Sequence, residues 1–412
     1  MNRIKQTIIA LAIGLSLANC GDDFLDTTSS DQMSDSNTFT TIDGAQQVLT
    51  GAYDWLTNGW LAHMTNQYIF FLPDIMGDDA LVTPDPNYNY GFVSPYQYTV
   101  SPGSTYTDDP WKGCYSIIDN TNAILDNIGN LAESAERNRI EGEALSLRAY
   151  TYHFLVRMYA KPVNKYPDNP SIILRISSGT EDLPRATVKD VYNQLVVDME
   201  KACGLLDQHS SSSKAYIGAN AAHGILARLY LDLGDETNGI KHANAALKGV
   251  NLMNTAVYTA DFCEVNSETL WAFECPTDDN QFYLSLPSFW YLCGDDYEDA
   301  VIGYSSLRVS KALINLMEDK DIRKTQFPKD SETNDYISET GYLTTKIHSR
   351  NNEMGQGSFN MLRGSEMYLI IAELAADKQH YDVAKEALNV VRIARGLDKY
   401  SGTDAGLADE IQ

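Results

Sequence analysis

The chain has 412 residues, 43% of them hydrophobic, with 31 basic against 56 acidic side chains and a formal charge of −25. So acidic a surface excludes nucleic acid as an expected partner and makes anionic lipid a poor one, while the apolar content suffices for a large core and excludes disorder as the default. Six cysteines with no CxxC arrangement give no support to a zinc ribbon, and with Cys20 otherwise used the remaining five cannot complete a disulfide framework.

The N-terminus, MNRIKQTIIALAIGLSLANC, places Arg3 and Lys5 ahead of an apolar run from Ile8 to Ala18. That run is about 11 residues, against the roughly 20 that a spanning helix needs, so residues 1–19 read as a cleaved secretory signal. Leu17, Ala18, Asn19 and Cys20 resemble a bacterial lipobox, with Asn19 in place of the usual smaller residue, which makes Cys20 the expected lipidation site. Acyl chains there would anchor the protein to a membrane surface. Cleavage removes two basic residues and no acid, leaving 29 against 56 and a mature charge of −27. Gly21, Asp22 and Asp23 resemble the acidic export signal of Bacteroidetes lipoproteins, which predicts an outer-membrane protein facing the exterior.

Residues 27–38 are polar and aperiodic, so 20–38 reads as a lipidated tether. From Ile42 to Leu56 apolar residues at Ala45, Val48, Leu49, Ala52, Trp55 and Leu56 recur at helical spacing, and a second helical run covers residues 111–128. Between them residues 57–110, rich in Tyr, Pro, Asp, Asn and Gly, are far longer than an ordinary connection and read as a functional insertion. Helix is predicted again from Arg139 to Tyr159, ending before Pro162, and Thr187 has the character of an N-cap for the helix that follows.

In residues 219–249, Leu226, Ala227, Tyr230, Gly234, Gly239 and Ala246 fall on the small and large positions of a tetratricopeptide repeat. Small residues there let antiparallel helices approach, and large ones fill the groove of the next pair. The same register fits Tyr368, Ile371, Ala372, Ala375, Ala384 and Leu388, and more loosely Tyr152 to Tyr159. A second insertion, residues 252–360, holds strand-like or irregular runs such as TLWAFECP and a dense aromatic segment from Phe282 to Tyr304. The mature chain divides into an N-terminal part, 39–215, and a C-terminal part, 216–412, each bearing one insertion.

Catalytic signatures are absent: there is no HExxH, GxSxG, P-loop, GxGxxG or EF-hand spacing. The seven histidines are scattered with no local metal-ligand pair, and His223 and His242 read as structural or surface residues; the cysteines beyond Cys20 read as buried thiols, with a disulfide among Cys263, Cys275 and Cys293 as the alternative. No cofactor is expected, although the acidic runs GDDA (77–80) and GDDYED (294–299) could hold a structural calcium ion. What the insertions do offer is aromatic surface, much of it from the 25 tyrosines. The C–H face of a pyranose stacks on Tyr or Trp while Asp, Asn, Gln and Arg meet its hydroxyls. The stacking candidates are Tyr88, Tyr90 and Tyr96 from the first insertion and Tyr283, Trp290 and Tyr291 from the second; most of the remaining tyrosines are expected to anchor loops.

CGDDFLD, TTIDGAQQVLTGAYDWL, LRAYTYHFLVRMYA and LRGSEMYLIIAE, in this order, resemble the SusD/RagB family of Bacteroidetes outer-membrane lipoproteins. The resemblance implies a mostly α fold of four tetratricopeptide-like hairpins with the ligand platform on inserted loops. It implies a non-enzymatic protein that binds oligosaccharide and delivers it to a SusC-like TonB-dependent transporter. Peptide binding in the same family, or a scaffold that docks only to the transporter, are the alternatives; an extracellular glycosidase is the remotest. Family members commonly run on through a further basic helix, so the chain is expected to be truncated at its C-terminus.

Overall fold

The computed structural model describes residues 38–57, 64–83, 91–209, 213–260, 262–275, 284–290, 304, 306–327, 341–350 and 356–411, with the backbone alone for 64–67. Eight long helices among them carry the scaffold: α1 (Ile42–Thr57), α2 (Thr105–Asn127), α3 (Ala135–Tyr159), α4 (Val188–Leu206), α5 (Ala219–Leu233), α6 (Glu236–Ala246), α7 (Gly364–Asp377) and α8 (Tyr381–Ala394). They pack as four successive pairs, α1 with α2, α3 with α4, α5 with α6 and α7 with α8, each also touching the next pair. The predicted mostly helical repeat scaffold is therefore what forms.

Local chemistry explains the helix ends. Ser134 Oγ accepts the Arg137 N–H at 3.1 Å to start α3, and Thr187 Oγ1 accepts from Asp190 N at 3.1 Å to start α4, the predicted cap. Gly234 closes α5 at φ +65°, a left-handed turn that any side chain would strain. In the repeat register Leu226, Ala227, Ala246, Ala372, Ala375 and Ala384 are fully buried. Gly239 on α6 is small because α7 crosses it: a Cβ there would overlap Leu374 Cδ1 and touch Tyr230 Cβ at 3.4 Å. Gly239→Ala should cost about 1–3 kcal/mol by overpacking, read as a lower chemical denaturation midpoint at unchanged slope.

Two sequence expectations need correction. The second helix starts at Thr105, not at Trp111, and carries Pro110 inside it. Pro110 is the sixth residue of this helix, past the first turn, so one ladder hydrogen bond is lost there while the helix continues to Asn127. The run around Ser288, expected to be strand-like or irregular, contains a one-turn helix, Leu286–Trp290, whose five residues are all buried. TLWAFECP does form a strand, β4 (Thr269–Cys275), paired antiparallel with β6 (Gly357–Arg363). This ladder is the stem on which the second insertion leaves and re-enters the scaffold. Trp271 fixes it there, its ring edge-on to Tyr150 of α3 at 4.9 Å and its Nε1 donating to Ala215 O at 3.3 Å. A short pair, β2 (Pro170–Ile173) with β3 (Arg185–Thr187), covers α3 and α4. Cys114, Cys203, Cys263 and Cys275 are buried free thiols; Cys293 lies outside the described residues.

Candidate functional site

The two insertions meet. Strand β1 (Ala80–Val82) of the first pairs antiparallel with β5 (Leu307–Val309) of the second, with Leu81 opposite Arg308. Phenylalanines from both sides lock the junction: Phe289 sits edge-on to Phe71 at 4.8 Å and tilted against Phe92 at 5.3 Å, and Phe71 meets Phe92 at 5.6 Å. Tyr304 stacks on Phe289 at 5.5 Å and 18°. Such contacts contribute about 0.5–1.5 kcal/mol each beyond area burial. Phe71 and Phe92 of the first insertion thus share one aromatic core with Phe289 and Tyr304 of the second.

This layer contains two of the predicted stacking residues. Tyr96, on the short helix Val93–Tyr96, is half-buried and packed against the core. Trp290 ends the helix that presents Phe289, and it is 6% exposed. The expectation that Trp290 offers a ring face to a ligand therefore meets a buried ring, held in because every residue of its helix faces the core. Tyr88, Tyr90, Tyr283 and Tyr291 lie outside the described residues, as does Cys20. Asp78 and Asp79 of GDDA are exposed, and GDDYED also falls outside the described residues.

The ring that is displayed is one that sequence reading passed over. Tyr98 is 68% exposed and takes φ +55° just past the Val93–Tyr96 helix. The turn it closes is a Schellman-type cap, with Tyr98 N–H on Pro95 O at 3.1 Å and Thr99 N–H on Ser94 O at 2.9 Å. Glycine is the residue this position favours, so a tyrosine there carries a backbone cost of roughly 1–2 kcal/mol. Its hydroxyl donates to Met76 O, which steadies the exposed ring over the first insertion. Nothing in the local sequence marks this residue out; only its backbone angle does.

A groove of about 190 Å³ opens beside the stem, where α1 and β4 each lead into an insertion. Tyr216 and Phe273 give it aromatic walls and Asp54, Glu274, Thr50 and Thr57 a polar rim. Its floor is rigid: buried Tyr53 stands edge-on to Tyr216 at 5.1 Å, donates its hydroxyl to Glu143 Oε2 at 3.1 Å and accepts Ile217 N–H at 3.0 Å. Burial, with the Glu143 carboxylate beside it, pushes the Tyr53 hydroxyl well above the usual tyrosine range, so it stays protonated and donating. Among the described residues, the metal-ligand atoms that gather in a group of three or more belong to Cys203, His223 and His242 on α4, α5 and α6 of the scaffold. No described helix is long and apolar enough to cross a membrane.

Comparison with known proteins agrees with this architecture. Residues 23–231 match the SusD-like family model described as starch-binding, associating with the outer membrane. A SusD-like carbohydrate-binding protein from Bacteroides vulgatus is 27% identical over 90% of this chain and 79% of its own, with a TM-score of 0.77. A SusD superfamily protein from Bacteroides thetaiotaomicron, 22% identical, superposes over 90% of this chain and 84% of its own, also at 0.77. Surface glycan-binding protein A from the same species, 17% identical, shares the fold over 90% and 86% at 0.69. No curated protein matches the chain. With a family model spanning just over half of its residues, the chain belongs to the SusD-like family.

Proposed function

We propose that this protein is a surface lipoprotein, anchored through Cys20, that captures oligosaccharide on the layer where its two insertions meet and hands it to a SusC-like TonB-dependent transporter. The observation that carries the reading is the junction itself: β1 with β5 and the Phe71, Phe92 and Phe289 core join the two insertions. A rigid aromatic base with exposed rings above it suits the C–H faces of sugars. Tyr98 is the exposed ring the described layer offers, with Tyr88, Tyr90, Tyr96, Tyr283 and Tyr291 as further candidates, while Trp290 is buried in the core. The family's description as starch-binding favours a glucan within the oligosaccharide class.

Affinity electrophoresis and calorimetry against a glycan panel headed by starch fragments test this. Tyr98→Ala should weaken binding at least tenfold, about 1.4 kcal/mol, while the melting temperature stays within a few degrees. Tyr98→Gly should do the same and relieve the backbone strain. Unchanged affinity in both would remove Tyr98 from the site. Retention of a peptide mixture with no glycan bound would move the protein to the peptide-binding alternative. Intact glycan affinity with loss of transporter co-purification would identify the layer as a docking surface alone. Release of reducing ends by the purified protein would revive a glycosidase. The groove supports a second reading, in which Tyr216 and Phe273 stack the sugar; Tyr216→Ala and Tyr98→Ala then separate the two. Cys20→Ala should abolish labelled palmitate incorporation, and persistent labelling would refute the anchor.

A further inference from the structure

We propose that Cys203, His223 and His242 form a binding site for a thiophilic divalent cation of the zinc class, stapling three consecutive scaffold helices. One ligand atom from each lies within 4.8 Å of the others, and all three side chains are buried. Cys203 sits in the last turn of α4, His223 in α5 and His242 in α6, so the group bridges two successive hairpins of the scaffold.

The two rings face each other through Nδ1, 2.8 Å apart. Their opposite edges face carboxylates. His223 Nε2 is 3.1 Å from Asp207 Oδ1 and His242 Nε2 is 3.3 Å from Glu200 Oε1, the latter off-line for a hydrogen bond, so that His242 Nε2 has no hydrogen-bond partner although the residue is 2% exposed. Glu200 is itself held, accepting the Tyr230 hydroxyl at 2.7 Å, while the Tyr230 ring lies against His242 at 5.7 Å between centroids and 28°. A carboxylate favours the ring proton on the nitrogen it faces. Both rings then present bare Nδ1 lone pairs to each other. Two neutral rings resolve that clash by moving one proton to Nδ1, which turns a bare, buried Nε2 toward a carboxylate. A cation between the Nδ1 atoms satisfies all four ring nitrogens at once.

This is the arrangement of metal-bound histidines, ligating through one nitrogen and oriented by a carboxylate on the other. Bonds of about 2.0–2.1 Å to two nitrogens in tetrahedral geometry need them roughly half an ångström further apart than they stand, a shift within reach of ring rotation. A thiolate with two imidazoles selects zinc-class ions over calcium or magnesium. Asp207 and Glu200 balance the charge the complex would bury, and the fourth position falls to water.

The test is titration of the chelator-treated full chain with Co²⁺, followed by Zn²⁺ competition and thermal unfolding. One Co²⁺ per chain should bind with a thiolate-to-cobalt charge-transfer band and intense visible bands, erased by Zn²⁺; Zn²⁺ should raise the melting temperature. Cys203→Ser should lose the charge-transfer band and the Zn²⁺-dependent stabilisation. Asp207→Asn, on an exposed side chain, should weaken Zn²⁺ by about 10- to 100-fold and keep the band at saturation. Absence of the band in the wild-type chain, its survival in Cys203→Ser, or a wild-type melting temperature indifferent to Zn²⁺ would overturn the site. A proton shared between the two Nδ1 atoms would give that last result. Should Cys203→Ser unfold, His242→Gln is read in its place, with Co²⁺ affinity and the Zn²⁺ shift expected to fall together.

Discussion

Asp198→Ala is expected to destabilise the scaffold by about 3–5 kcal/mol, the cost of leaving a buried cation without its partner. Arg148 of α3 and Asp198 of α4 are 5% and 3% exposed and meet in a fork, Nε on Oδ2 and Nη2 on Oδ1, both at 2.8 Å. The remaining polar atoms are taken up by neighbours. Asn122 Oδ1 of α2 accepts from Arg148 Nη1 at 2.8 Å, Ile176 O accepts from the same nitrogen at 3.3 Å, and Gln194 donates to Asp198 Oδ1 at 2.8 Å. One ion pair thus connects α2, α3, α4 and the loop after β2. Removing the carboxylate leaves the guanidinium with two neutral acceptors and no counter-charge, in a site too dry to hydrate it. Chemical denaturation should give the single variant a midpoint far below wild type, and Arg148→Met with Asp198→Leu should recover most of the loss. A single-variant cost under about 1 kcal/mol would mean water reaches the pair.

The contrast between this pair and the ligand layer explains what could be read in advance. Helices α5 to α8 were legible because burial repeats every three to four residues along each of them, with the small residues Ala227, Gly239 and Ala384 falling on that register. The Thr187 cap is legible because it depends only on residues beside it in sequence. Exposure on the insertions is set by partners far along the chain. Trp290 and Tyr98 are both aromatic residues in aromatic segments, yet one is enclosed by a helix packed on Phe71 and Phe92 while the other is turned outward by a backbone angle. No local pattern separates them. His223 and His242 are 19 residues apart, a spacing that means nothing until α5 and α6 fold back on each other.

Glu268→Gln should cost a further large amount, about 3–5 kcal/mol, and should also weaken ligand capture, because Glu268 closes the base of the second insertion. The chain enters that insertion at residue 252 and returns through β6. Glu268, fully buried at the foot of β4, holds both ends. Its Oε2 accepts Met253 N–H at 2.8 Å on the way out; its Oε1 accepts Ser365 N–H at 3.2 Å and the Ser365 hydroxyl on the way back. Arg395 Nη2, on a residue 3% exposed, bonds Oε2 at 3.1 Å, and Arg363 Nη1 reaches Oε1 at 3.4 Å. Burial alone would raise this carboxyl, but the Arg363 and Arg395 guanidiniums overcome it and hold the group below the usual carboxylate range. A depressed folded-state value makes the contribution full above the unfolded value of about pH 4.3 and lost as pH falls through the folded one. Wild-type protein should therefore lose stability on acidification along a limb that Glu268→Gln, with no charge to neutralise, flattens. In the variant Arg395 is left as an unpaired buried charge, and the stem it secured should open. Limited proteolysis within 276–356 should quicken, and glycan affinity should fall with no ligand contact altered. A variant with wild-type proteolysis and affinity would show that β4 and β6 hold the insertion without the carboxylate.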